Sequence, residues 1–329
     1  MDHKIDFLLM WVDGSDPVWL EEKKKFKPDL DISDSINRYR DWDILKYWFR
    51  GIEKFAPWVN NVFFITYGHL PAFLNVNNPK LKIINHKDYI DNKYLPTYNP
   101  KVLELNFHNI EDLSEHFVYF NDDMFVIKEV IQSDFFKDGL PCDSFSEDVI
   151  YPGIDPFCGT LFKNECILSK YFKKSECKKS LKGKYYNIKY GKNNLKTFVF
   201  SYFKNFVGIK YTHLPQSFLK SKFQELYNLE KDTFEKTYSH KFRTETDINQ
   251  YLIREYQLLS GNFSPRSYKI GKPFIISNNN EKIINSIIKQ KYKMICLNDN
   301  DPNVDFDKAK RELINAFETI LPDKCSFEK

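Results

Sequence analysis

Hydrophobic positions in this chain fall into short unbroken runs separated by longer periodic stripes. Ile5 to Val12 is apolar and too brief for a helix; the turn-rich Asp13-Gly14-Ser15-Asp16-Pro17 ends it, so it predicts a buried strand. Val62 to Thr66, stopped by Gly68, predicts a second strand. Leu81 to Ile84 and Phe117 to Phe120 predict two more, and Met294 to Leu297 a short fifth. Between Asp43 and Phe55, the residues Leu45, Trp48, Ile52 and Phe55 recur at helical spacing, and Pro57 closes the segment. Leu103, Phe107 and Ile110 form a second stripe, with Asn99 as N-cap and Pro100 as first helical residue. Gln216 to Tyr227 and Asp247 to Leu259 predict helices. So does Asp305 to Leu321, through Phe306, Ala309, Leu313, Ala316 and Ile320.

Strands alternating with helices predict an α/β fold with a mostly parallel central sheet flanked by helices. Pro141 to Tyr211 shows no clear period and predicts a Lys- and Tyr-rich inserted subdomain. The organisation expected is 1–140 as an α/β part, 141–211 as the insertion, and 212–329 packed with the first part as one unit.

Composition sharpens this picture. The 329 residues include 30 Phe and 20 Tyr, enough apolar mass for a sizeable core. The formal charge of +4 hides an asymmetry: between Leu168 and Tyr211 stand twelve lysines and one acid, Glu176, a net +11, which leaves about −7 elsewhere. That stretch carries no recognised nucleic-acid motif, so no nucleic-acid partner is expected; its two readings are a solvated face and a surface for anionic lipid or a phosphorylated acceptor. The six cysteines include no C-x-x-C pair. The apolar N-terminal stretch is too short for a signal-peptide core, and no run reaches the ~20 apolar residues of a membrane span. A cytoplasmic location with reduced thiols is expected, with peripheral contact at the inner membrane face left open.

Candidate chemistry sits where strands end. In open α/β sheets, ligands bind outside the carboxyl ends of the strands. Asp13, Asp122 and Asp123 all fall just past such ends. Adjacent carboxylates beside an apolar strand repel each other and lose hydration unless something positive offsets the cost. A hard dication such as Mg²⁺ or Mn²⁺, sharing its shell with substrate phosphate, is a natural partner; a solvated turn is the plainer reading. Asp299 and Asp301 also follow an apolar run, a pattern common in turns. His213 is a candidate base and Arg243 a candidate phosphate clamp, each equally readable as structural or surface residues.

Taken together, the stretches resemble the Stealth family of sugar-phosphate transferases, which includes bacterial capsule and cell-wall polysaccharide phosphotransferases and the α/β subunit of the lysosomal-enzyme N-acetylglucosamine-1-phosphotransferase. Four blocks carry the resemblance. They are IDFLLMWVDGSDPVW, then NRYRDWDILKYWFRGIEKFAPWVNNVFFITYGHLPAFL continuing to HFVYFNDDMFV, then THLPQSF with SHKFRTETDI, and finally CLNDN. Three departures stand out. Trp42 follows Asp41 where the family has Asn, Tyr67 and His69 stand in place of Asn and Gln of a T-N-G-Q motif, and Asn109 replaces an Arg after His108.

The resemblance implies a nucleotide-diphospho-sugar-transferase-like fold and transfer of sugar-1-phosphate from a nucleotide sugar to a glycan hydroxyl, releasing a nucleoside monophosphate. It implies His213 as base, Arg243 as phosphate grip, and Asp122, Asp123 and Asp299 around a Mg²⁺ or Mn²⁺ ion, with Asp122 also orienting the reacting groups. Asp13, Gly14, Ser15, Asp16, Arg38, Arg40, Asp41 and Thr66 would form the donor site. The acceptor implied is a lipid-linked oligosaccharide. Two rival readings remain: a metal-dependent glycosyltransferase that releases a diphosphate, and a non-catalytic glycan- or anion-binding relative.

Overall fold

The computed structural model describes residues 3–28, 40–151, 153 and 156–329. In chain order the elements are β1 (Ile5–Met10), α1 (Pro17–Phe26), α2 (Leu45–Phe55), β2 (Val62–Thr66), β3 (Leu81–Asn85), α3 (Pro100–Leu105), β4 (His116–Asn121), β5 (Met124–Val126), α4 (Gln132–Phe135), β6 (Phe136–Lys137) and β7 (Leu140–Asp143). There follow α5 (Pro156–Tyr171), α6 (Lys174–Ser180), α7 (Asn193–Phe200), β8 (Gln216–Leu219), α8 (Lys220–Leu229), α9 (Lys231–Tyr238), α10 (Gln250–Leu259), β9 (Ser264–Pro265), β10 (Gly271–Ile275), α11 (Glu281–Ile288), β11 (Met294–Asn298) and α12 (Phe306–Ile320).

The central sheet runs β3-β2-β1-β4-β8. Its first four strands are parallel and β8 alone is antiparallel. Both faces of β1, β2 and β4 are buried, so these strands are largely apolar, as a covered parallel sheet requires. Phe7, Leu9, Phe64, Val118 and Phe120 face one core with Trp48, Phe49 and Ile52 of α2 and Leu313 and Phe317 of α12. Leu8, Phe63, Phe117, Tyr119 and Phe218 face the other, with Val102 of α3 and Ile253 of α10. Ile167, Leu168, Cys177 and Tyr185 from the 141–211 segment join that second core. A smaller sheet, β10-β11-β5, flanks the carboxyl edge of β4.

The expected α/β plan, a mostly parallel central sheet flanked by helices, is present. Asn99 caps α3 by accepting from the Lys101 N–H, with Pro100 in the first turn. Three expectations need correction. Gln216 to Tyr227 is not one helix: its first four residues form β8, hydrogen-bonded to β4, and the helix starts at Lys220. The segment from Pro141 to Tyr211 is not aperiodic; it holds α5, α6 and α7, and outward apolar residues such as Phe162 of α5 and Leu195 and Phe198 of α7 mask the helical stripe. The stripe from Leu103 to Ile110 breaks at Asn106 into a 3₁₀ turn over Phe107–Asn109. Among the described residues, no helix is long and apolar enough to cross a membrane.

The C-terminal segment is locked to α2 by a buried ion pair. Arg50 donates from Nε and Nη2 to the two oxygens of Glu328, at 2.7 and 3.0 Å, and from Nη1 to the carbonyls of Leu321 and Pro322. Burial alone would raise the Glu328 carboxyl, but the Arg50 fork outweighs it and holds the group below its ordinary value of 4.5. The stabilisation is therefore full above pH 4.5 and lost as pH falls through the folded-state value. Glu328→Gln is expected to cost about 3 kcal/mol at neutral pH. Denaturant titrations across a pH series should show the gap to wild type closing in acid, and a constant gap would remove the ionic account.

Candidate active site

Strand register decides which side chains meet. Met10 pairs with both Ile65 and Asn121, so the carboxyl ends of β1, β2 and β4 lie level. The chain leaves β1 toward β2 on one side, while β4 lies on the other; this switch point is where such sheets open a crevice. Asp13 follows β1 and Asp122 follows β4 at that edge.

Because β8 runs against β4, its beginning lies beside the end of β4: Gln216 pairs with Tyr119. His213, just ahead of β8, is thereby delivered to the aspartate turn. Its Nε2 lies 3.3 Å from Asp123 Oδ2 and 3.5 Å from Asn121 Nδ2. The pairing of β5 with β11 sets Cys296 opposite Met124, and the Cys296 thiol donates to Asp123 Oδ2 at 3.1 Å. The Asp123 carbonyl accepts from the Leu297 N–H at 2.8 Å. Asp123, His213 and Cys296 each offer one donor atom within 4.8 Å of the others. Burial, followed by the Asp123 charge, pushes the Cys296 thiol well above its ordinary range, so it remains a neutral donor.

Asp122 is in contact with solvent yet sits in a recess dense with protein. Burial and the neighbouring Asp123 carboxylate push its carboxyl up to about 7; His213 opposes the rise and Asp41 adds to it. The other oxygen of Asp123, Oδ1, is buried with no hydrogen-bond partner among the described residues. An orphaned buried carboxylate oxygen beside a second carboxylate fits a cation. Burial lowers the His213 imidazole, but the Asp123 hydrogen bond and charge outweigh that, and its pKa stands above 6.5.

A polar chain runs inward from His213. The Tyr119 hydroxyl contacts Asn121 Oδ1 and lies 3.0 Å from Glu104 Oε1. Glu104 is buried, and burial pushes its carboxyl up to about 7 against the pull of Tyr119, Arg243 and Lys101. Arg243 is thus on the Glu104 flank of the site. It is exposed and makes no hydrogen bond or ion pair among the described residues. Its loop is rigid: buried Asp247 accepts from the Thr244 N–H at 2.8 Å and from Asn99 Nδ2 at 3.0 Å, and Lys101 Nζ donates to the Thr244 carbonyl at 2.8 Å.

The other expected site residues divide into engaged and available. Asp13 Oδ1 accepts from the Ser15 N–H and hydroxyl at 2.8 and 2.6 Å, with Gly14 half-buried in the same turn. Asp16 caps α1 through the Trp19 N–H. Thr66 is fully buried, and its hydroxyl donates to the His69 carbonyl. Arg40 forks onto Asp299 at 3.0 and 2.6 Å, and Trp42 Nε1 adds a third bond to that carboxylate at 3.2 Å. Asp299 is thus held by Arg40 and Trp42. Asp41 accepts from the Asp43 N–H at 2.8 Å, and burial raises its carboxyl. Arg38 lies outside the described residues.

Sequence reading missed Glu104, Tyr119, Asn121, Cys296 and His69. His69 accepts the Asp13 N–H at 2.7 Å, which requires a neutral Nε2; burial lowers its pKa accordingly. It therefore pins the loop after β1. Cys296, within the apolar run of β11, opens the CLNDN segment.

The fold and site define an α/β transferase, and proteins similar over the whole chain bear that name. A capsular polysaccharide phosphotransferase, WcwK of Streptococcus pneumoniae, is 44% identical over 99% of this chain and 98% of its own length. The exopolysaccharide phosphotransferase cps2G of Lactiplantibacillus plantarum is 38% identical over 99% and 96%. The receptor polysaccharide phosphotransferase WefC of Streptococcus oralis is 36% identical over 99% of each. Residues 3–31 match Stealth protein CR1, conserved region 1, and residues 38–142 match CR2, conserved region 2. The chain belongs to the Stealth family. Among solved structures, the galactosyltransferase LgtC aligns over 94% of this chain and 95% of its own at 9% identity and a TM-score of 0.39, too slight a likeness to bear on the fold.

In chelator-treated protein, the His213 imidazole should titrate above 6.5, and Asp123→Asn should lower it, because the hydrogen bond and charge that most oppose burial are then gone and only the Glu104 and Asp122 charges still oppose it. Proton NMR of the histidine ring signals checks this, and an unmoved resonance would remove Asp123 as the cause.

Proposed function

We propose that this protein transfers a sugar-1-phosphate from a nucleotide-diphospho-sugar to a hydroxyl of a glycan acceptor in bacterial surface polysaccharide synthesis. The acceptor oxygen attacks the phosphorus attached to the sugar, a nucleoside monophosphate leaves, and a phosphodiester forms. The observation that carries the reading is the meeting of His213 with Asp123 at the carboxyl edge, in a chain 44% identical end to end to a polysaccharide phosphotransferase.

His213 takes the proton of the acceptor hydroxyl, its ordinary pKa lying near working pH. Arg243, held by the Asp247 loop and without an ion pair among the described residues, grips phosphate oxygens with its planar fork. The Asp13–Asp16 loop, pinned by His69, lines the nucleotide, and Arg40 and Asp41 border it. Asp122 and Asp123 hold Mg²⁺ or Mn²⁺; Asp299 joins only by releasing Arg40. When bound, the dication neutralises pyrophosphate oxygens and screens Asp123 from His213, favouring the neutral base. The acceptor is a lipid-linked oligosaccharide, met by a cytoplasmic enzyme at the inner membrane face.

Incubation with a panel of nucleotide sugars, oligosaccharide acceptor and Mg²⁺ or Mn²⁺ should release a nucleoside monophosphate; a diphosphate would establish glycosyl transfer instead. His213→Ala and Asp122→Ala should each slow turnover more than tenfold, about 1.4 kcal/mol of barrier. Excess chelator should abolish turnover and added Mg²⁺ or Mn²⁺ restore it; full activity in chelator would remove the dication from the account.

A further inference from the structure

The helix α7 is built inside out. Its polar residues Asn193 and Thr197 are buried, Thr197 completely. Thr197 Oγ1 accepts the Glu147 N–H at 3.1 Å, and Asn193 Oδ1 accepts from Lys210 Nζ at 2.8 Å. Its apolar residues face outward: Leu195, Phe198 and Val199 are exposed, Phe198 at 51%. The turn that follows adds Tyr202 and Phe203, and Ile188, 93% exposed, stands before the helix. Asn194 Nδ2 donates to the Asn187 carbonyl at 2.7 Å and ties that preceding turn to α7. Among these residues stand the exposed lysines Lys189, Lys192, Lys196 and Lys204. Six large apolar side chains in water, on an element whose polar face is satisfied by the protein body, need a partner.

We propose that α7 and its flanking turns form a docking surface that inserts into the headgroup region of an anionic lipid bilayer. Charge decides the occupant. Lys170, Lys174 and Lys196 are paired with Glu230, Glu147 and Asp148, but Lys189, Lys192 and Lys204 stand exposed among the apolar residues and meet no acid among the described residues, so a second copy docking face to face would set lysines against lysines. An anionic leaflet neutralises the same lysines, whose stems lie along the apolar side chains while their heads reach lipid phosphates. The surface deepens the membrane-proximal acceptor reading and rests on it for its purpose; Phe203 precedes His213 by only ten residues.

The test is co-sedimentation of the full chain with phosphatidylcholine vesicles, with and without phosphatidylglycerol. Wild type should bind the anionic vesicles at least tenfold better. Phe198→Ser with Val199→Ser should reduce that binding at least tenfold, and Lys192→Glu with Lys204→Glu should remove the preference for phosphatidylglycerol. The indole fluorescence gained in a Phe198→Trp variant should be quenched by brominated lipid. Circular dichroism and thermal melting establish that each variant is folded. Nucleotide release with a water-soluble oligosaccharide acceptor should be unchanged in the serine variant; its absence in wild type would count against the proposed reaction, and vesicle binding still judges the surface. Failure of wild type to bind, or an indole at position 198 that brominated lipid leaves unquenched, would overturn the proposal. So would a self-association broken by the serine variant without effect on vesicle binding.

Discussion

The carboxylate of Asp123 is shared by three segments remote in sequence. It sits in the turn between β4 and β5, lies 3.3 Å from the imidazole that precedes β8, and accepts from the thiol of β11. A charge enclosed this way is tolerable only while its partners stay in place. The two sheets and the start of β8 are therefore fixed around one anion, whose other oxygen is buried without a hydrogen-bond partner among the described residues.

The rest of the crevice follows from excess negative charge. Asp13, Asp16, Asp41, Asp122, Asp123 and Asp299 border it, and the protein disposes of them differently. Asp16 becomes a helix cap, Asp13 closes its own turn, and Asp299 is neutralised by Arg40. Asp123 takes the His213 imidazole and the Cys296 thiol, and Asp122 is left beside a second carboxylate with its own carboxyl raised. The departures from family pattern take structural posts here: Trp42 helps hold Asp299, and His69 receives the Asp13 amide.

Much of this was legible in sequence because local patterns wrote it. Apolar runs closed by turn residues marked β1, β2, β3 and β4, and the caps of α3 were visible in Asn99 and Pro100. The Asp122–Asp123 pair drew attention as charge abutting an apolar strand. What was illegible depends on long-range pairing. Gln216–Leu219 has no strand signature of its own, merges into the stripe of the following helix, and becomes β8 only by bonding to β4. Helix α7 defeated periodicity because its buried face is polar. The Arg40–Asp299 clasp joins residues more than 250 positions apart, which no local pattern encodes.

The lone antiparallel strand has a further consequence. Had β8 run with its neighbours, His213 would lie at the opposite rim of the sheet. Its spacing from the aspartate is metered by a backbone ladder in which Ser217 faces Val118. Sliding that ladder by one rung would carry the imidazole about 3.3 Å along the sheet and swap which side chains enter the core. Proton-transfer distance in this molecule is thus a by-product of how Phe218 packs beneath Phe117, so the hydrophobic interior acts as the ruler for the chemistry above it.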